Sequence, residues 1–391
     1  MKRWFEVQNL IWVLFIGFLG LSACKKDIEP VNTVTEYQKD NQVLSEYLDL
    51  PSSPYDYQGI MLPAYLGSTN ILIHDNTPGD NQVTNEGATL GRVLFYDKKL
   101  SKNGTISCAS CHIQEFGFSD TATLSKGFDG GLTGRHSMGL SNAKYRTNGR
   151  FFWDERAETL EDQVLMPIQD PVEMGMTLTD LVNVVDQQEY YDILFKRAFG
   201  DDEVTSDRIS KALAQFIRAM VSFNSKYDQG RANHDVKEPF DNFTTQENWG
   251  KSIFNSIDKG QCGSCHSTDA MITVVSRNNG LTREPDDYGV EKTTGNPLDR
   301  GKFKAPSLRN IAVRPPYMHN GDYKSLREVI MGYSTGINWT PTLDGHLKMP
   351  GGQSAIRFNL TQEEIEALEA FLNTLTDTEF LTNKIYSDPF K

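Results

Sequence analysis

Two short stretches constrain this chain more than anything else in it. Cys108-Ala-Ser-Cys111-His112 and Cys262-Gly-Ser-Cys265-His266 share one spelling, C-x-x-C-H, about a domain's length apart. Whatever the first does, the second must do too. A structural zinc site takes four ligands, usually from two such pairs inside one small module, and these pairs are too far apart in sequence for that unit. A disulfide within C-x-x-C is of the redox-active kind, yet nothing beside either pair suggests a thioredoxin-type unit. The remaining use is c-type haem: both thiols add across the vinyl groups, and the next residue's imidazole binds the iron. The spelling therefore predicts two covalent haems c, one on Cys108 and Cys111 and one on Cys262 and Cys265. His112 and His266 are the proximal iron ligands.

The fifth and last cysteine, Cys24, is spent elsewhere. Met1-Lys2-Arg3 is a basic start, Leu10 to Leu21 an apolar run, and Leu21-Ser-Ala-Cys24 closes it. That is the layout of a secretory signal, and the run is shorter than the roughly 20 residues a membrane span needs. It resembles a bacterial lipoprotein signal, in which Cys24 is lipidated and becomes the new N-terminus. The expectation is an exported chain on the periplasmic side of the cell envelope, tethered by acyl chains to a membrane, the outer membrane first. No mature cysteine is left over for a long-range disulfide, although that compartment would allow one.

At 391 residues the chain has room for two domains, and an internal repeat divides it. The stretches from Gly91 to His112 and from Gly250 to His266 each read Gly, a base, two residues and Phe, then a polar loop and C-x-x-C-H. The expected layout is a signal peptide at 1–24, a tether and extension at 25–84, and haem domains at 85–230 and 231–391. Helical spacing places helices over Asp207–Phe223 and Thr361–Thr374, the second opening on a Thr361/Glu364 capping box. A further helix is expected within Thr33–Leu50. No long alternating segment supports a sheet. The fold class is mostly α: two tandem cytochrome c-like haem domains with loop-rich connections. A net charge of −13 argues against a nucleic-acid partner and leaves room for a basic protein one.

Between and after the haem motifs stand "FFWDERAETLEDQ" from Phe151, "PVEMG" from Pro171 and "PPYMHNG" from Pro315, with "LFYDKKLSKNG" ahead of the first. Over residues 85 to the C-terminus the chain resembles the bacterial diheme cytochrome c peroxidase family, which includes relatives that build tryptophan-derived quinones in partner proteins. The resemblance implies a peroxide site at the His112 haem and electron entry at the His266 haem. Trp153 matches the tryptophan that bridges the haems, and Glu173 the acid–base carboxylate over the peroxide iron. Peroxide cleavage needs a group that takes a proton from the near oxygen and returns one to the far oxygen, as a carboxyl with a burial-raised pKa can.

Two departures from the family pattern matter. The loop Ser119–Gly134 holds no histidine that could cap the peroxide iron. His136 is the one candidate, expected as a pocket hydrogen-bonder ahead of a distal ligand. It stands where the family has an asparagine that helps bind an inter-haem calcium, which puts that ion in question although Pro316 matches a carbonyl ligand. Secondly, the family methionine that ligates the second haem falls on Tyr333, with Met331 two residues before it. A phenolate would lower that haem's potential and a thioether would raise it. The expected activity is reduction of hydrogen peroxide to water with electrons from a small donor such as a cytochrome c. The alternatives are a diheme oxidase that modifies a partner protein and a plain electron-transfer lipoprotein; a homodimer is left open.

Overall fold

The computed structural model describes residues 33–391 apart from 147, 274, 284 and 285. The signal segment and Cys24 lie outside the described residues. Helices and 3-10 turns carry the chain, and among the described residues pairing between strands is limited to isolated bridges such as Ile113 with Ser119. Among the described residues no helix is long and apolar enough to cross a membrane.

The internal repeat becomes a repeated helix crossing. In the first half, helix Asn85–Tyr96 lies against helix Ser206–Ala219; in the second, Thr245–Asn255 lies against Gln362–Asn373. Gly91 and Gly250 sit at the contacts. A Cβ on Gly91 would come 1.9 Å from the Ala212 carbonyl oxygen, and one on Gly250 would come 1.8 Å from that of Ala367. Only glycine lets the backbones approach so closely. The base after each glycine is buried too: Arg92 donates to the Ser387 carbonyl, and Lys251 to those of Val236 and Glu238.

The long helices start as the residues dictate. Thr361 Oγ1 accepts from Glu364 N at 3.3 Å, while the Glu364 carboxylate accepts from Thr361 N at 2.9 Å. Thr244 and Glu247 repeat that box in the partner helix. The apolar stripes, Ile209, Leu213, Phe216 and Ile217 in one helix and Leu368, Phe371 and Leu372 in the other, are all buried. The first helix stops at Ala219 rather than Phe223 because Asn142 takes the following backbone. Asn142 N donates to Met220 O, its amide to Ser222 O, and its Oδ1 accepts from Ser222 N. In the extension, the helix spans Thr33–Tyr47.

Each half has its own core, but two segments ignore the division. Phe380 and Tyr386, near the C-terminus, belong to the core of the first half, where Tyr386 Oη donates to Ala219 O at 2.9 Å. The tail from Phe380, placed by sequence in the second domain at 231–391, therefore packs with the first. The extension crosses the other way: Tyr65, Leu66 and Ile71 pack with Tyr145, Phe223, Ala270 and Ile272. Tyr65 also donates to Asp228 at 2.6 Å, and Asp228 pairs with the buried Arg309 at 2.8 Å.

Candidate functional site

The two C-x-x-C-H stretches fold alike. Cys108–Ser110 forms a 3-10 turn in which His112 N donates to Cys108 O at 3.0 Å. Cys262–Cys265 forms a helical turn in which His266 N donates to Cys262 O at 2.9 Å. Each turn brings the cysteines and the histidine to one wall. His112 Nδ1 lies 2.8 Å from Phe118 O, and His266 Nδ1 lies 3.0 Å from Met271 O. A carbonyl can only accept, so Nδ1 carries the proton and Nε2 keeps its lone pair for a metal. Both acceptor residues sit in the left-handed region, Phe118 at φ 58° and Met271 at φ 55°. Held there without glycine, they store strain that aims each carbonyl at its histidine. Burial lowers both imidazole pKa values, His266 to about 4, so both rings are neutral at ordinary pH.

None of Cys108, Cys111, Cys262 and Cys265 is in a disulfide among the described residues. Burial pushes Cys108 and Cys262 up to about 12 and Cys111 and Cys265 up to about 11. A zinc site needs thiolates gathered on one ion, whereas these pairs line different cavities. One, of about 600 Å³, is lined by Cys111, His112, Phe152, Trp153 and Glu173. The other, of about 200 Å³, is lined by Cys262, Cys265, His266, Met318 and Tyr333. Paired thiols, a neutral imidazole with an open Nε2 and an apolar wall fit haem c at both places.

Trp153 lines both cavities. Its indole Nε1 donates to His136 O at 2.9 Å, and its carbonyl accepts from Lys304 N at 2.8 Å, so one hydrogen bond reaches into each half. The loop that carries it is cinched by the Phe151–Ala157 bridge and by the Arg135–Asp154 and Arg146–Glu155 ion pairs. Phe152 and Glu155 take left-handed backbone on either side, at φ 67° and 59°. The His319 ring meets Trp153 edge-on at 6.3 Å and stacks on Phe303 at 3.7 Å.

Glu173 stands in the first cavity at the end of a turn built by Asp170, whose Oδ1 accepts from Val172 N at 2.8 Å and Glu173 N at 3.3 Å. Gly175 closes the turn at φ 69°, where a Cβ would meet the Phe128 ring at 2.4 Å. The Glu173 carboxyl is half-buried and accepts no hydrogen bond among the described residues. Burial, and then the Asp170 charge, push it up to about 6.

His136 lies in the same cavity wall with both ring nitrogens against protein oxygens, Ala122 O at 3.1 Å and Ser119 Oγ at 3.3 Å. Of the two possible ligands in the second half, Tyr333 lines the cavity and accepts from Asn279 at 3.1 Å, while Met331 is 51% exposed and outside it. The sequence reading missed Met318, which lines that cavity and whose sulfur is 3.6 Å from the same Asn279 amide. Pro316 is buried. No group of three or more His, Cys, Asp or Glu side chains that could hold a metal ion occurs among the described residues. Asp154 and Asp287, which line the first cavity, are already paired with Arg135.

The reading also missed three buried basic groups: Arg146, which lines the first cavity, Lys304, which lines both, and Arg314, which donates to the Ser307 carbonyl. A second repeat would have found two of them. Leu140-x-Asn142-x-x-x-Arg146 returns as Leu308-x-Asn310-x-x-x-Arg314, with both asparagines at φ 61°.

The sequence pattern of di-haem cytochrome c peroxidases matches residues 85–236, and that of cytochrome c matches 249–376. Methylamine utilization protein MauG of Methylophilus methylotrophus is 32% identical over 76% of this chain and 84% of its own. The cytochrome c551 peroxidase of Nitrosomonas europaea is 33% identical over 74% of this chain and 79% of its own. The crystal structure of a MauG-like protein associated with microbial copper homeostasis shares the fold with a TM-score of 0.73. It is 31% identical and covers 85% of this chain and 99% of that one.

Proposed function

The chain belongs to the di-haem cytochrome c peroxidase family, and from that premise we propose that it reduces hydrogen peroxide to water at the His112 site, with electrons entering at the His266 site. The observation that carries the reading is the Glu173 carboxyl, in one cavity with His112 and with a pKa raised to about 6. Haem iron, when bound, supplies the two-electron redox chemistry. Glu173 takes a proton from the near peroxide oxygen and gives it to the far one, because a carboxyl with that pKa holds and releases protons near neutrality. Trp153 supports the second half of the reading, since it is a wall of both cavities and is held to both halves by hydrogen bonds. His136 acts as a positioning residue: its carbonyl holds the indole while its ring braces the Ser119 loop.

A small c-type cytochrome is the proposed donor. Export and anchoring through a lipid on Cys24 complete the proposal, resting on the Leu21–Cys24 stretch alone. A second reading, oxidation of a partner protein, draws on one observation: Tyr333 rather than Met331 faces the second cavity, and a phenolate ligand stabilises oxidised iron. The test adds peroxide to the fully oxidised di-haem protein and follows oxidation of a reduced small c-type cytochrome. Rapid turnover supports the peroxidase. A long-lived oxidised spectrum without turnover selects the partner oxidase.

A further inference from the structure

Three tyrosines lead from the core beside the first haem motif toward solvent. Tyr191 is fully buried in the core against which Cys108 packs. Its ring lies 4.6 Å, centre to centre, from that of Tyr190, and Tyr190 lies 5.3 Å from Tyr47. Tyr47 ends the extension helix and is 41% exposed. Rings this close are in van der Waals contact, a separation an electron crosses readily.

What sets this trio apart from ordinary aromatic packing is the carboxylate beneath it. Asp97 is 3% exposed, and its Oδ2 accepts from both Tyr190 and Tyr191 at 2.9 Å. A buried phenol can lose an electron only if its proton leaves with it, and 2.9 Å is within the roughly 2.6–3.2 Å reach of proton transfer. Lys99 Nζ, 5.2 Å from the centre of the Tyr190 ring, adds to that requirement, because an ammonium disfavours a cationic ring but tolerates a neutral radical.

We propose that Tyr191, Tyr190 and Tyr47 form an exit route by which oxidising equivalents left by peroxide at the His112 site reach the surface, making Tyr47 a site of one-electron oxidation. The inference rests on the peroxidase reading. An electron from Tyr191 fills the deficit at the His112 site while its phenolic proton moves to Asp97. Tyr190 then refills Tyr191, and Tyr47 refills Tyr190. Each buried phenol takes its proton back from Asp97, and Tyr47 gives its own to water. A small phenolic reductant at the surface restores Tyr47. Without one, the Tyr47 radicals of two chains join through a ring carbon–carbon bond. One hydrogen peroxide and two Tyr47 hydrogens then become two waters and one dityrosine.

The test uses the di-haem protein, treated with hydrogen peroxide and no donor, then freeze-quenched for electron paramagnetic resonance and digested for mass spectrometry. Expected are a tyrosyl signal and a dityrosine-linked dimer through Tyr47. Tyr47→Phe should lose the dimer and keep the signal. Tyr191→Phe should lose the dimer while peroxide-driven oxidation of reduced cytochrome c continues. Coupling at Tyr47 that survives Tyr191→Phe would overturn the route, since oxidation would then be arriving from solution. So would coupling through Tyr288, equally exposed at 42%, in place of Tyr47. Cytochrome oxidation with Tyr47 unmodified sinks the route alone; no peroxide consumption at all sinks the peroxidase reading and the route with it.

Discussion

At the scale of single residues, the site depends on side chains whose ordinary chemistry has been shifted by where they sit. Glu173 is an ordinary carboxyl made into a near-neutral acid by burial and by Asp170. In the proposed mechanism it first accepts a proton, which makes the ionised form the active one. The kcat/KM for peroxide should therefore rise with pH through about 6 and level off above it. Glu173→Gln cannot accept the proton, and should lower peroxide turnover by about 100- to 10,000-fold with both haems still attached. Steady-state rates and haem absorbance together check this. A rate that stays high in the glutamine variant would remove Glu173 from the mechanism. His112 and His266 show the complementary case: a carbonyl from a strained neighbour, Phe118 or Met271, fixes their tautomer. The motif points to the ligand, but the His112 ring is oriented by Phe118, six positions away, and by Ser137, 25 positions away.

At the scale of elements, each half rests on one helix crossing with glycine at its centre. The Cβ of Gly250→Ala would fall on the Ala367 carbonyl and force the helices apart. Such overpacking costs about 1–3 kcal/mol. Chemical denaturation followed by haem absorbance should show the second-half transition at lower denaturant, and Gly91→Ala should do the same to the first half. An unchanged midpoint would mean the crossing can relax without penalty. The same helices show how far periodicity reads. The Thr361/Glu364 box and the buried stripes are present as the residues require. The helix ending at Ala219 is four residues shorter than its apolar spacing suggests, because Asn142, far away in sequence, competes for the backbone at Met220 and Ser222.

At the scale of the molecule, the halves are laced together by the chain ends. The extension packs across the seam through Tyr65, Leu66 and Ile71, while the C-terminal tail returns to the first core. Phe380→Ala should therefore destabilise the half it does not belong to by sequence. The side chain is 3% exposed and stacks edge-on against Phe118, whose carbonyl holds His112. Emptying such a site costs about 3–5 kcal/mol. On denaturation, the signal of the His112 haem should be lost first in this variant and the His266 signal later; loss of the second signal first would contradict the tail's assignment.

The local spelling of C-x-x-C-H, the capping boxes and the helical stripes was enough to determine two haems c and a mostly helical fold, because each depends on residues within a few positions of one another. Trp153 and Glu173 could be singled out from the sequence only through resemblance to a family. Tertiary structure decided that Trp153 is a wall of both cavities, that Tyr333 and Met318 rather than Met331 face the second, and that His136 spends both ring nitrogens on Ala122 and Ser119. It also decided that Asp97 lies under Tyr190 and Tyr191, and that the tail from Phe380 serves the first half. The reason is the same in every case: burial and hydrogen-bond partners are set by segments distant in sequence meeting in space, or by which way a loop turns, and neither leaves a periodic mark on the chain.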